Sequence, residues 1–297
     1  MNKIIIVDKE KNMTSHDVVN KIRKIFKTKR VGHTGTLDPN ATGVLVVCLN
    51  EATKLVQFLE SDQKTYLARV CIGISTDTED SEGTIIDKKE IQTLSEELVD
   101  STLRSFLGEG LQFPPMFSAI KKDGKKLYEY ARKGETVVVE PRRINILDIH
   151  RISPLNYNNE NQTFEFDFIT TVSKGTYIRT LCVDIGKNLG YPAHMKELRR
   201  IKVGSFDLID ARKISEIETG NYKSFDMLES LKMYKAIDDE EFIIKANNGM
   251  KISINKVVEK LGKQENRIII KDDDKLIAIY ELDLEKKCYK AARVWKY

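Results

Sequence analysis

Apolar positions along this chain recur with two periods, and the switches between them mark its elements. Ile4 to Val7 form an unbroken apolar run of strand length. Beyond it, Val18, Val19, Ile22, Ile25 and Phe26 fall at helical spacing behind Thr14-Ser15, a pair suited to capping a helix start. The opposite face of that helix is basic. Residues 32 to 43 hold three glycines and Pro39, and then give way to GVLVVCL, which predicts a buried strand fed by a loop.

A helix is expected from Ala52 to Glu60. Alternation returns in KTYLARVCIGIST, residues 64 to 76, where Tyr66, Ala68, Val70, Ile72 and Ile74 oppose Leu67, Arg69 and Cys71 and predict a second sheet strand. Leu94, Leu98, Leu103 and Phe106 predict a helix capped by Gly108. Thr163 to Thr171 alternates three phenylalanines with acidic or apolar partners. Past the turn Ser173-Lys174-Gly175, the spacing of Ile178, Leu181, Cys182, Ile185 and Leu189 predicts a helix that Gly190 stops. Strands and helices interleave without a regular βαβ rhythm, so the expected class is α+β, a mixed and largely antiparallel sheet flanked by helices. After Tyr234, IIIKD, KLIAIYEL and AARVW predict a compact strand-rich module. No internal repeat or low-complexity tract is visible.

At 297 residues the chain is about twice the ~100–150 of a common domain, and 41% hydrophobic content suffices for cores. One large unit over 1-234 and one small unit over 238-297 are expected. The opening MNKIIIVDKEKN has four consecutive apolar residues before a charge, too few for a signal-peptide core or a membrane span. A cytoplasmic chain without membrane attachment is therefore expected. Cys48, Cys71, Cys182 and Cys288 lie far apart in apolar stretches, without a C-x-x-C pair, and read as buried free thiols rather than zinc ligands.

The net charge of +4 does not by itself argue for a nucleic-acid partner, but the distribution is segregated. Lys21, Arg23, Lys24, Lys27, Lys29 and Arg30 form one basic cluster. Lys121, Lys122, Lys125, Lys126, Arg132 and Lys133 form another, while acidic residues gather at 77–82, 238–241 and 272–274. A polyanion-binding face gains from such clustering through counterion release. Taken alone, each cluster is more readily explained as a solvated helix face or turn.

The richest segment is GHTGTLDPNATGVL, residues 32 to 45. Its glycines permit tight backbone geometry, and Pro39 disfavours helical torsion at Asp38, presenting a short acid just ahead of a buried strand. An Asp-Pro surface turn accounts for the same residues, and from local physics both readings stand. A Walker phosphate loop does not fit, because Gly43 leads into Val-Leu-Val-Val instead of Lys-Ser/Thr.

GHTGTLDPNATGVL resembles, almost residue for residue, the signature of the TruB family of pseudouridine synthases. Family-like blocks follow in order: KTY at 64 to 66, TDTEDSEG at 76 to 83, PPMFSAIKKDGKKLYEYARKG at 114 to 134, SKGTYIR at 173 to 179 and HMKELRR at 194 to 200. Together they span most of residues 1 to 205. One departure stands near the start, where Lys9-Glu10-Lys11-Asn12 replaces the family's Lys-Pro-x-Gly. Asn tolerates left-handed torsion and so could stand in for the glycine.

The resemblance implies isomerisation of uridine 55 in the tRNA T arm to pseudouridine, without cofactor or metal. Making pseudouridine breaks the bond from ribose C1′ to uracil N1, rotates the base and rejoins it through C5, so no redox change or group donor is required. By the same resemblance Asp38 is the essential carboxylate, Arg179 its partner and Tyr66 the aromatic against the base. Tyr177 and Leu198 would line the uridine pocket, and Asp80 would bond to groups around it. His33 would fill the space of the flipped nucleotide. Lys121 lies in a basic RNA-gripping insertion expected at about 114-145. The last sixty residues weakly resemble a PUA module, a small RNA-binding β-barrel. A monomer that needs no protein partner, acting on the T stem-loop, is expected. The rival readings are a catalytically silent RNA-binding relative and a guide-RNA-dependent relative acting inside a larger particle.

Overall fold

In the computed structural model, which describes residues 2–60, 63–135 and 137–296, the alternating segments join into one eleven-stranded sheet and the helical segments cover its faces. Its main path runs Ser224–Phe225, Ile4–Lys9, Thr42–Leu49, Ala193–Val203, Gln63–Ile72, Thr163–Ser173, Arg142–Arg151 and Gly108–Gln112. Neighbours on this path are antiparallel except at one seam. There Thr42–Leu49 and Ala193–Val203 pair in parallel, Arg199 with Thr42 and Arg200 with Gly43. The expected α+β class, mixed and largely antiparallel, is the observed one.

Strand alternation decides what covers each face. Ile5, Val7, Leu45 and Val47 pack under the Ser15–Ile25 helix through Val18, Val19 and Ile22. Their neighbours Ile4, Ile6, Val44 and Val46 point the other way, toward Leu55, Phe58 and the C-terminal sheet. Farther along, Ala68, Val70, Ile72, Phe166 and Phe168 receive Ile178, Leu181, Cys182 and Ile185 of the Ile178–Leu189 helix. Burying each such aliphatic side chain contributes roughly 1.5–3 kcal/mol, enough to fix this helix against the middle of the sheet. It ends as the sequence predicts, at Gly190 with φ 82°. At the other helix Thr14 and Asp17 form a reciprocal capping box.

Several boundaries differ from the expected ones. The helix Glu96–Arg104 buries Val99, Thr102 and Leu103, while Leu98 stays exposed. It ends before Gly108, which instead opens an edge strand with φ 95°. Gly73, at φ 115°, breaks the strand expected over 64 to 76, and Ile74–Thr76 pairs separately with Ile85–Lys88. Asn50–Leu55 is a 3-10 helix leading into the single turn Val56–Leu59. The basic insertion holds the hairpin Lys121–Lys122 with Lys125–Lys126 and the helix Leu127–Ala131. The strand Arg142–Arg151 that follows belongs to the main sheet.

The C-terminal strands form a five-stranded sheet curled into a half-barrel. Two helices that the sequence pattern did not predict, Glu240–Asn247 and Ile254–Leu261, accompany it. The acidic DDEE is a helix start, with Asp239 capping and Glu240 and Glu241 in the first turn. This sheet is not an isolated bead: Ile269, Leu276, Ile279 and Trp295 share one core with Ile4, Val44 and Phe58. Among the described residues no helix is long and apolar enough to cross a membrane.

Candidate active site

Asp38 sits on the loop between Val31–Thr34 and Thr42–Leu49, directly over the parallel seam of the sheet. Glycine and proline alone do not hold this loop. Ser15 at the start of its helix accepts from the Leu37 N–H at 2.9 Å, and the Asp38 carbonyl closes a turn by accepting from Ala41 N–H at 3.1 Å. The Lys9 ammonium, its side chain withdrawn from solvent, donates to the carbonyls of Glu10, Met13 and Pro39 at 3.0, 2.6 and 2.8 Å. Arg200, also fully buried, donates to Val44 O at 2.8 Å and Gly35 O at 3.0 Å, clamping the two ends of the loop. Gly43 has φ 101°, and a Cβ there would lie 2.2 Å from the Arg200 carbonyl, so only glycine fits the seam.

Across the cleft, the start of the Ile178–Leu189 helix brings Arg179 to the acid. Its Nε lies 3.0 Å from Asp38 Oδ2; the arginine side chain is 6% exposed and the aspartate 45%. Arg179 Nη1 donates to Thr78 O and Nη2 to Phe117 O, each at 3.0 Å, so its guanidinium is fixed on three sides. Asp80 stands 4.0 Å from Nη1 and accepts from the Thr78 hydroxyl at 2.6 Å and the Glu82 N–H at 3.1 Å. It therefore serves the turn and the pocket wall together.

One cleft is lined by Thr36, Leu37, Asp38, Tyr66, Thr176, Tyr177, Ile178, Arg179 and Leu198. A second begins on the other side of Asp38, between Lys11, Asn12, Asp80, Met195 and Leu198. Pairing of Gln63–Ile72 with Ala193–Val203 sets Tyr66 opposite Arg200 and Ala68 opposite Leu198, which puts both side-chain groups at one end of the seam. Asp38, Tyr66, Arg179, Tyr177 and Leu198 are thus brought together. His33 and Lys121 are not among the residues lining either cleft. His33 is half-buried on Val31–Thr34 near Arg200, and Lys121 is exposed on its hairpin. Asn12 takes φ 61°, the left-handed torsion expected of it in place of glycine.

Burial sets the unusual ionisations around the loop. It pushes Lys9 down to about 8, against the opposing pull of Asp38. Burial likewise lowers Arg200, with Tyr66 acting in the other direction. His33 is lowered by burial and by the nearby Arg200 charge, so it is neutral at pH 7. Glu79, behind Arg179, is pushed up by burial although the Thr180 hydroxyl donates to it at 2.6 Å.

Three contributors escaped the sequence reading. Arg200 lies inside HMKELRR and Lys9 heads the divergent turn, so a signal existed, but neither was read as a clamp on the loop. Gln112, beside Pro114-Pro115, exchanges hydrogen bonds with the Tyr177 main chain, which no local pattern reveals.

A family model described as TruB family pseudouridylate synthase (N terminal domain) matches residues 23–178, and one described as tRNA pseudouridylate synthase B C-terminal domain matches residues 179–239. The chain is 43% identical to a tRNA pseudouridine synthase B of Staphylococcus saprophyticus, with 96% of each chain covered. It is 44% identical to one of Listeria welshimeri, covering 97% of this chain and 95% of the other. Among solved structures, a Cbf5-Nop10-Gar1 complex contains a chain 24% identical with TM-score 0.70, covering 99% of this chain and 84% of that one. At that identity the likeness concerns the fold.

Proposed function

Because this chain belongs to the TruB family of tRNA pseudouridine synthases, isomerases of uridine in tRNA, we propose that its target is uridine 55 of the T arm and that Asp38 drives the reaction. The observation that carries the reading is the Asp38–Arg179 pair, a half-exposed acid aimed into a cleft by a buried guanidinium. A fixed charge partner of this kind needs no reorganisation when charge develops on the substrate.

In this account the T-arm uridine leaves its stack and enters the cleft beside Tyr66, Tyr177 and Leu198. Asp38 acts on the flipped nucleoside as nucleophile or charge stabiliser while the C1′–N1 bond breaks. The base turns, C5 bonds to C1′, a proton leaves C5, and N1 gains one, so atoms and electrons balance within the nucleoside. The Tyr66 ring lies against the base and assists proton movement. Asp80 steadies Arg179 and the turn around it. His33, neutral by burial, occupies the helical space that the nucleotide vacates.

RNA grip comes from elsewhere. The exposed lysines of the hairpin, Lys121 among them, meet T-stem phosphates, and the curled C-terminal sheet acts as a PUA-like module on the acceptor-stem side. Accordingly we assign residues 1-234 to the catalytic unit and 238-297 to RNA binding, in a cytoplasmic monomer that needs no guide RNA. The relatives similar over nearly the whole chain carry the name tRNA pseudouridine synthase B, which favours this over a guide-dependent role. Incubating the protein with an unmodified tRNA transcript and mapping pseudouridine tests it. A single modified uridine in the T loop supports the reading; an unmodified T loop overturns it.

A further inference from the structure

Gln112 ends the edge strand Gly108–Gln112, just before Phe113-Pro114-Pro115 and the basic hairpin, and is 3% exposed. Its side-chain oxygen accepts from the Tyr177 N–H at 2.8 Å, and its side-chain nitrogen donates to the Tyr177 carbonyl at 3.0 Å. Tyr177 is the first flanking residue of the Ile178–Leu189 helix, and its own side chain makes no capping bond. The same carbonyl accepts the first helical bond, from Leu181 N–H at 3.0 Å. Gln112 therefore holds, from 65 residues away, the peptide groups from which this helix starts.

Arg179 follows two residues later and itself donates to Phe117 O. The segment entering the basic hairpin is thus fastened to the helix start at two points, Gln112 and Phe117, one on each side of Pro114-Pro115. We propose that Gln112 is a positioning residue: its amide fixes the Tyr177 main chain, sets Arg179 against Asp38, and couples the seating of the hairpin on RNA to the geometry of the acid–arginine pair. This rests on reading Asp38 and Arg179 as the reacting pair.

Glutamine suits the task because one carboxamide carries a donor and an acceptor side by side, matching the N–H and C=O of a single residue. A carboxylate only accepts. In Gln112→Glu the ionised side chain keeps the bond from Tyr177 N–H but turns its second oxygen toward the Tyr177 carbonyl. Protonation restores a donor there.

The test measures single-turnover rate and affinity on an unmodified tRNA transcript for wild type, Gln112→Leu and Gln112→Glu. Small misplacements of reacting groups cost up to ~10²-fold, so Gln112→Leu is expected to slow turnover by about 10- to 100-fold while affinity changes less than about threefold. For Gln112→Glu, the rate relative to wild type is expected to rise as pH falls through the carboxyl's titration. Wild-type turnover in Gln112→Leu, or a Gln112→Glu profile parallel to wild type at every pH, overturns the inference. Should Gln112→Leu fail to fold, the Gln112→Glu profile decides alone. A wild-type protein that leaves the transcript unmodified overturns the functional reading, and this inference with it.

Discussion

Arg179 Nε lies 3.0 Å from Asp38 Oδ2, with the guanidinium buried and the carboxylate open to the cleft. The asymmetry matters: the cation cannot wander, because Thr78 O and Phe117 O each hold one of its two Nη groups, whereas the acid stays reachable. A lysine ammonium has three donors on one atom and cannot span these partners, which lie along the edge of a planar fork. Arg179→Lys is expected to fold cooperatively yet lose about 10²- to 10³-fold in single-turnover rate, since the acid loses its aim. Wild-type rates in that variant would remove Arg179 from the mechanism.

Lys9 gives the site a pH dependence. Held down at about 8, its ammonium supplies three donors to Glu10, Met13 and Pro39 carbonyls, whereas the neutral amine has two. The loop beside Asp38 loosens when that proton leaves, so turnover is expected to decline as pH rises through about 8. Folding follows the opposite sign: between about 8 and the ordinary lysine value of 10.5, the unfolded chain holds a proton that the folded chain has released. Over that window this group makes the fold more stable with rising pH. Single-turnover rates that stay level across this range would contradict the loop argument.

The shared core makes the C-terminal sheet part of the catalytic unit's stability. Removing residues 238–297 strips Ile269, Leu276, Ile279 and Trp295 from Ile4, Val44 and Phe58, and also removes Arg267, which stacks on Phe58 and donates to the Tyr234 hydroxyl. At ~2–5 kcal/mol per large buried side chain, the four losses together are comparable to the ~5–15 kcal/mol stability margin of a domain. The truncated chain is expected to aggregate or melt well below the full chain, and an unchanged melting temperature would show the two units to be independent.

On the hairpin, Lys121 and Lys122 are exposed, and neither has an acidic partner among the described ion pairs. Each phosphate contact adds roughly 0.7–0.9 to the slope of log affinity against log salt. Replacing both lysines with alanine is expected to reduce that slope by about one to two while leaving the melting temperature unchanged. Binding isotherms at several salt concentrations check it; an unaltered slope would mean that the hairpin does not touch RNA.

Local signals carried much of the fold. Gly190 stops its helix and Thr14 caps its own because both decisions involve residues within one turn. Asn12 adopts the left-handed torsion expected of it for the same reason. The convergence of Asp38, Tyr66, Leu198 and Arg179 was legible only through resemblance, since a loop, two separate strands and a helix bring them together. The clamping roles of Arg200 and Gln112 were not legible, although Arg200 lies in a family-like block: both bind main-chain atoms far away in sequence, and carbonyls leave no mark in the pattern of side chains. The two C-terminal helices, eight residues each, are too short for their apolar stripe to stand out beside strong strands.

Substituting the acid is the most direct trial of the whole account. Asp38→Asn preserves volume and keeps a hydrogen-bond acceptor toward Arg179 but removes the carboxylate charge. In a single-turnover assay on unmodified tRNA transcript, the account predicts that this variant binds the transcript and forms no pseudouridine, while wild type modifies the T loop. Formation of T-loop pseudouridine by Asp38→Asn at the wild-type rate would contradict it.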